Sequence, residues 1–239
     1  MTHAAVELAD LTGAELVEAL ETRFDTSTDD VDTGPRTFSI LRPRNSDDLI
    51  REEDFVKDER LPYWADVWPS SVILAAHLVS LAEGRKERRP GKGLELGCGV
   101  GLVTTAAMIA GYEMTATDYY TDALAFTRAN AWRATGETPD AMMIDWRSFP
   151  PDMGGFDIIF ASDVLYEKEY AHLLPRIFKG ALAPGGMVIL ADPGRMGVPE
   201  FIEECAAAGM VIRSKITHPF EAGTIQQSID LYEIADVRS

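Results

Sequence analysis

Leu94-Glu95-Leu96-Gly97-Cys98-Gly99-Val100-Gly101 sets an acidic side chain two places before glycines that recur at every second position. Leu94 to Leu96 read as the end of a strand, and Val100, Leu102, Val103 and Ala106 to Ala110 read as the apolar helix that follows. Gly97, Gly99 and Gly101 can take backbone angles closed to other residues, so a ligand can lie against bare main chain. The free N–H groups and the positive dipole end of the helix face the same loop. Strand, glycine turn and helix in that order predict a loop built to hold a nucleoside.

Two kinds of cofactor compete for it. A dinucleotide fingerprint is written G-x-G-x-x-G, with an acid about 20 residues on. Here the glycines run G-x-G-x-G, and Glu95 would be a poor neighbour for a pyrophosphate. S-adenosylmethionine carries an ammonium and a sulfonium and has no phosphate, so it tolerates that carboxylate. The spacing favours S-adenosylmethionine.

Working outward, strands and helices alternate after the basic linker Gly84 to Gly93. Strands are expected at Gly93 to Leu96, Glu113 to Thr117, Ala141 to Ile144, Phe156 to Ser162 and Met187 to Ala191. Helices are expected up to Ala110 and over Thr121 to Thr135, Glu169 to Leu182 and Pro199 to Ala208. The tail differs, because Val211 to His218 and Gln227 to Ala235 read as two strands joined through Phe220 to Thr224. The expected fold is α/β: a Rossmann-like, seven-stranded, mostly parallel sheet with helices on both faces and a C-terminal antiparallel β-hairpin.

A short N-terminal α/β extension, residues 1 to 60, precedes a domain of residues 61 to 239. Ala4 to Phe24 predict one or two short helices, with Thr12 and Glu15 in a capping-box pattern. The acidic stretch Asp25 to Gly34 reads as a loop, Thr37 to Leu41 as a strand, and Asp47 to Glu59 as an exposed charged segment. Pro62-Tyr63-Trp64-Ala65-Asp66-Val67-Trp68-Pro69 then leads into an apolar helix from Val72 to about Leu81, with Pro69 suited to its first turn.

The 239 residues suffice for one large domain, and the net charge of -17 argues against nucleic acid and anionic membrane as partners. Cys98 and Cys205 are the only cysteines, and neither they nor the four histidines fall in a metal-binding pattern. No signal pattern or membrane-length apolar run is present, so a cytoplasmic location is expected; the sequence leaves the oligomeric state open and is compatible with a monomer.

In such a sheet, ligands lie beyond the carboxyl ends of the strands. Asp118 ends the second strand, where it can accept from both hydroxyls of a ribose or cap the next helix. Asp145 and Trp146 follow the third, suited either to an exocyclic amine and an adenine face or to a turn and the core. Asp163 and Tyr166 follow the fourth, where a carboxylate and a phenol can hold an amine or simply begin a loop. Trp64 and Trp68 either pack on the sheet or close a lid over the cofactor.

Together these residues resemble the class I, seven-strand methyltransferases that use S-adenosylmethionine, and within them the methyltransferase-16 family of protein lysine methyltransferases. The resemblance is carried by Val67-Trp68-Pro69, by Leu94 to Gly101, by Asp145-Trp146, and by Asp163-Val164-Leu165-Tyr166 as a D-x-x-Y motif. The Pro-Tyr-Trp-Ala-x-x-Trp-Pro portion is most similar to the branch acting on the electron-transfer flavoprotein β subunit. The resemblance implies a protein substrate with an accessible lysine. It implies cofactor contacts from Trp68, Glu95, Gly97, Cys98, Gly99, Gly101, Asp118, Asp145, Trp146 and backbone around Ala161, with Asp163 and Tyr166 facing the target nitrogen. The Asn-Pro-Pro-Tyr and Asp-Pro-Pro-Tyr sequences of adenine and glutamine methyltransferases are absent. Methylation of a small amine, and a non-catalytic cofactor-binding module, remain as alternatives. The extension to residue 60 is expected to serve substrate recognition.

Overall fold

The computed structural model describes residues 7–50, 61–83 and 91–237. The main sheet has seven strands: β3 (Lys92–Leu96), β4 (Glu113–Asp118), β5 (Asp140–Met143), β6 (Phe156–Ser162), β7 (Leu182–Asp192), β8 (Met210–Ala222) and β9 (Ile225–Asp236). Their order is β5-β4-β3-β6-β7-β9-β8, in which β3 to β7 run parallel and β9 and β8 are antiparallel. The Rossmann-like sheet and its terminal hairpin are as the sequence predicts. β8 and β9 extend further than expected and leave only Gly223 and Thr224 between them.

Strand β6 shows why the sheet is covered twice. Ile158 and Phe160 point into a core with α2 (Pro69–Glu83), α3 (Leu102–Ile109) and α4 (Thr121–Thr135). Ile159 and Ala161 point the other way, onto α5 (Lys168–Ala181) and α6 (Val198–Ala207). Alternation with period two along a strand buried on both faces requires a layer of helices on each side.

The extension contains α1 (Gly13–Arg23) and a two-stranded sheet of β1 (Thr26–Asp32) and β2 (Thr37–Pro43). The acidic stretch read as a loop is therefore mostly a strand, paired with β2 from Thr26↔Pro43 to Asp32↔Thr37. Its β-branched threonines and Val31 suit extended backbone, and pairing overrides the weak local preference of its three aspartates. Thr12 stands at the N-cap of α1 but makes no side-chain capping bond, so the expected capping box does not form. Leu16, Leu20, Phe38, Ile40 and Leu41 are buried in the same core as α2, α3 and α4.

Asn130 of α4 joins the extension to the glycine loop. Its side chain accepts from Leu41 N–H and donates to Leu41 C=O, both at 2.8 Å, and donates to Val100 C=O at 2.9 Å. Arg128 donates to the carbonyls of Leu8, Ala9 and Leu11. The charged segment predicted from Asp47 begins with a short 3-10 turn, Ser46–Leu49, and its part beyond residue 50 lies outside the described residues, as do most of the linker after Gly84 and residues 1–6. Among the described residues, no helix is long and apolar enough to cross a membrane.

Candidate functional site

The sheet changes direction of winding between β3 and β6, because the chain leaves β3 for α3 on one face and β6 for α5 on the other. A cleft at the carboxyl ends follows from that divergence. After β3 the chain turns through Gly97, Gly99 and Gly101 at φ 73°, 54° and 84°. A Cβ on Gly101 would stand 2.7 Å from Thr127 Cα of α4, so a bare α-carbon is what lets α3 start against α4. A Cβ on Gly97 would reach to 3.5 Å from the Trp146 ring.

One cavity of about 520 Å³ borders this loop. Trp68, Glu95, Gly97, Cys98, Gly99, Gly101, Asp118, Asp145, Trp146, Asp163 and Tyr166 all line it. Ala161 does not: it is fully buried between the sheet and the α5 and α6 layer, and Ser162 lines the cavity instead. Alternation explains the difference, since neighbouring residues at a strand end face opposite sides.

Glu95 is buried and accepts from the Thr104 hydroxyl of α3. Burial pushes its pKa up to about 8, against the pull of the Thr104 bonds. Asp118 is buried as well, and its two oxygens accept from Gly99 N–H and Tyr120 N–H, each at 3.0 Å. Burial raises its pKa, and those backbone bonds oppose the rise. Cys98 is a buried free thiol whose sulfur receives the Thr127 hydroxyl at 3.2 Å, and burial pushes its pKa well up.

Asp145 has a different engagement. Its carboxylate accepts from Arg147 Nε at 3.0 and 3.1 Å and Nη2 at 2.6 Å, and it caps the 3-10 turn Trp146–Ser148 through Arg147 N–H. Of the two readings open in the sequence, these bonds are those of the turn. Trp146 packs edge-on against Tyr170, ring centroids 4.8 Å apart.

Asp163 is the single non-glycine residue with positive φ (59°) among the described residues. Aspartate tolerates this region better than most residues, and strain there clusters at functional sites. Both carboxylate oxygens are occupied: Oδ1 by Arg195, with Nε at 2.6 Å and Nη2 also in contact, and Oδ2 by the Ser70 hydroxyl at 2.9 Å. Arg195 also lies over the Trp68 ring, 5.8 Å from its centroid. Its loop is fixed by Asp192, fully buried at the end of β7, which accepts from the N–H groups of Gly194 and Arg195 at 2.8 Å.

Aromatic rings link the cavity wall. Trp68 meets Tyr63 at 6.0 Å, Tyr63 meets Tyr166 at 5.6 Å, and Tyr166 meets Tyr170 at 5.2 Å, all edge to face. Burial, and then the neighbouring Tyr170 phenol, push the Tyr166 pKa well above the ordinary phenol range. Trp68 Nε1 donates to Tyr63 C=O at 2.8 Å, while Trp64 is buried against Phe126 at 5.7 Å. Both tryptophans border the cavity, and Trp64 is at the same time packed into the core.

Arg195, Ser70, Tyr63 and Tyr170 were not read as site residues from the sequence. Arg195 had a usable signal, because Asp192-Pro193-Gly194-Arg195 follows a predicted strand as Asp163 does. Ser70, in the first turn of α2 and 93 positions from its partner, had none. Among the described residues, no cluster of His, Cys, Asp and Glu is arranged to hold a metal ion.

Comparison with known proteins bears on the family and the fold. The profile of a family described as lysine methyltransferase matches residues 47–198. The electron transfer flavoprotein beta subunit lysine methyltransferase of Xenopus laevis is 30% identical over 139 residues, 56% of this chain and 53% of that protein. Protein N-lysine methyltransferase METTL21A of Mus musculus is 35% identical over 135 residues, 53% of this chain and 58% of that protein. The chain thus matches about half the length of these curated relatives. Among solved structures, a putative RNA methyltransferase from Pyrococcus horikoshii superposes with TM-score 0.57 at 17% identity, covering 73% of this chain and 87% of its own. A magnesium protoporphyrin IX methyltransferase from Synechocystis with bound SAM gives TM-score 0.53 at 17% identity, covering 66% and 77%. At such identities these structures speak for the fold alone.

Proposed function

The chain belongs to the lysine methyltransferase family, and from that premise we propose that it transfers a methyl group from S-adenosylmethionine to the ε-amine of a lysine in a protein. What carries the reading is one cavity bordered both by the glycine loop after β3 and by Asp163 and Tyr166 after β6.

The residues present fit the cofactor. Each Asp118 oxygen spends one lone pair on a backbone N–H and has another for a ribose hydroxyl. Gly97 offers bare backbone opposite the Trp146 ring, a slot that a Cβ would narrow. Glu95 offers a buried acid to a cationic amino-acid end, and Trp68, Cys98, Gly99 and Gly101 complete the wall. When bound, S-adenosylmethionine supplies a methyl on a sulfonium; the amine lone pair takes the carbon and the broken C–S electron pair stays on sulfur.

The protein's share is positioning and removal of water. A free lysine has a pKa of roughly 10.4, so the site must receive an ammonium and let its proton go. The rings of Tyr63, Trp68, Tyr166 and Tyr170 suit the apolar stem and the charged end of lysine. Tyr166, held protonated, is suited to orient the nitrogen by hydrogen bonding rather than to take its proton. Asp163 fixes the geometry of this end through Arg195 and Ser70.

The charge of -17 favours a basic protein partner over nucleic acid or anionic membrane, and two buried free thiols suit the cytoplasm. Residues 1 to 60 are proposed to contribute to substrate choice, supported by Arg42 of β2, which donates to Asp66 at the cavity at 3.4 Å. The test is incubation of the pure protein with methyl-labelled S-adenosylmethionine and a hypomethylated lysate. Methyllysine in hydrolysed protein is expected, and the electron-transfer flavoprotein β subunit, named for the Xenopus relative, is the first single substrate to try. Label confined to small molecules would overturn the reading.

A further inference from the structure

Asp163 does not present a bare carboxylate to a lysine ammonium: Arg195 pairs with Oδ1 through two nitrogens and the Ser70 hydroxyl donates to Oδ2. The carboxylate is nearly buried, with 5% of its side chain exposed, whereas 31% of the Arg195 side chain is exposed and lines the cavity. The part of this ion pair offered to an incoming cation is therefore the guanidinium. Its position is well supported, by the face of Trp68 and by two backbone bonds to buried Asp192.

We propose that Arg195 is the residue that keeps the target amine neutral: its guanidinium cancels the Asp163 charge and disfavours a second cation beside it. The inference rests on the reading of the protein as a lysine methyltransferase. A like charge close by lowers the pKa of an ammonium, and an unscreened carboxylate raises it. With Arg195 in place the ammonium gives its proton to water, and the freed lone pair forms the N–C bond. Asp163 is then a positioning residue acting through Arg195, and no general base is needed.

The remaining charged groups around the cavity do not supply the same effect. From the β3 and β4 ends, Glu95 is bonded to Thr104 and Asp118 to two backbone amides. Beyond β5, Asp145 is neutralised by Arg147, and before α2 Asp66 is held by Arg42. Behind the pair, Asp192 spends Oδ1 on the N–H groups of Gly194 and Arg195, and burial raises its pKa. Glu167, beside Tyr166, is the exposed acid on the lining and attracts the ammonium without being paired to it. The phenols on the lining are those of Tyr63, Tyr119, Tyr120, Tyr166 and Tyr170, and Cys98 adds a thiol.

The test is the pH profile of label incorporation into lysate protein from methyl-labelled S-adenosylmethionine, between pH 6.5 and 10, for wild type, Arg195→Gln and Arg195→Lys. Arg195→Gln should move the rising limb about 1–3 pH units to the alkaline side, so that its rate deficit at pH 7 shrinks at pH 9.5. Arg195→Lys should return the limb toward wild type. Calorimetric binding of S-adenosylhomocysteine should be unchanged in both, showing an intact cofactor site without reference to activity. A deficit in Arg195→Gln that is the same at every pH would overturn the inference and leave the methyltransferase reading standing. Wild type that labels no protein lysine would remove that reading and the inference with it. If Arg195→Gln does not fold, Arg195→Lys decides: a wild-type profile supports the role of charge, and a displaced one overturns it.

Discussion

The side-chain amide of Asn130 closes a two-way hydrogen bond with the backbone of Leu41, 2.8 Å in each direction, and its nitrogen also reaches Val100 C=O. One buried residue of α4 therefore satisfies an edge of β2 and the middle of the glycine loop at once. The extension is tied to the loop that the cofactor is proposed to use.

Asn130→Ala should be costly for that reason. It would orphan the N–H and C=O of Leu41 and the C=O of Val100, each of them buried, and orphaned groups of this kind cost about 1–3 kcal/mol apiece. A loss of roughly 3 kcal/mol or more is expected in urea unfolding. Weaker S-adenosylhomocysteine binding should accompany it, since Val100 lies in the loop. Stability within 0.5 kcal/mol of wild type would show that water replaces the amide, roughly the range of ordinary surface substitutions. The same packing makes deletion of residues 1–60 a poor test of substrate choice, because it would strip Leu16, Leu20, Phe38 and Ile40 from a shared core.

Glu95 gives a pH signature. Its folded-state pKa of about 8 lies above the ordinary 4.5, so the native protein holds a proton that the unfolded chain has lost. Stability must then fall as pH rises from about 4.5 to 8, and be independent of this group below that window. Glu95→Gln keeps the shape and cannot ionise. Its stability relative to wild type should rise between pH 5 and pH 8, by about 3 kcal/mol at the upper end. Asp118 and Asp192, whose pKa values are also raised, leave a residual slope of the same sign. Parallel curves for Glu95→Gln and wild type would contradict the assignment.

Gly101→Ala tests the loop. The residue has φ 84°, and its added methyl would stand 2.7 Å from Thr127 Cα, a backbone atom that cannot swing away. Backbone strain and overlap together should cost about 2–4 kcal/mol. The junction of α3 and α4 should loosen first, visible as faster amide exchange at Val103 to Ala107. Gly136→Ala, also at positive φ but with nothing within 4 Å, is the control and should cost less. Equal losses would mean that conformation alone, not close approach, sets the price at Gly101.

How much of this was legible in the sequence depended on range. The βα units announce themselves locally, by apolar runs and glycines, and their strand ends located the cavity wall from Glu95 to Tyr166. β1 was missed because Thr26 to Asp32 alternates only between half-buried and exposed, and it becomes a strand through its partner β2. Thr12 and Glu15 had the spacing of a capping box without its bond. The strand end expected to contribute backbone around Ala161 meets the cavity at its neighbour Ser162, since successive residues of a strand face opposite sides. The Asp163, Arg195 and Ser70 cluster joins residues 32 and 93 positions apart, and no local pattern encodes such a meeting.

Asp163→Asn and Asp118→Ala should separate the roles of the two aspartates. Asp163→Asn is the suitable change, because asparagine also tolerates φ near 59° where alanine would be strained. It keeps one carbonyl oxygen for Arg195 or Ser70 and loses the charge that fixes the guanidinium. Methyl transfer should fall by about 100-fold, by analogy with the loss of other positioned groups, while S-adenosylhomocysteine binds as in wild type. Asp118→Ala removes the acceptors of Gly99 N–H and Tyr120 N–H together with the proposed ribose contacts. Its affinity for S-adenosylhomocysteine should fall at least tenfold, the effect of losing roughly 1.4 kcal/mol. Calorimetry and labelled transfer on the same preparations distinguish the roles. If both variants lost cofactor affinity equally, Asp163 would belong to the cofactor site rather than to the amine.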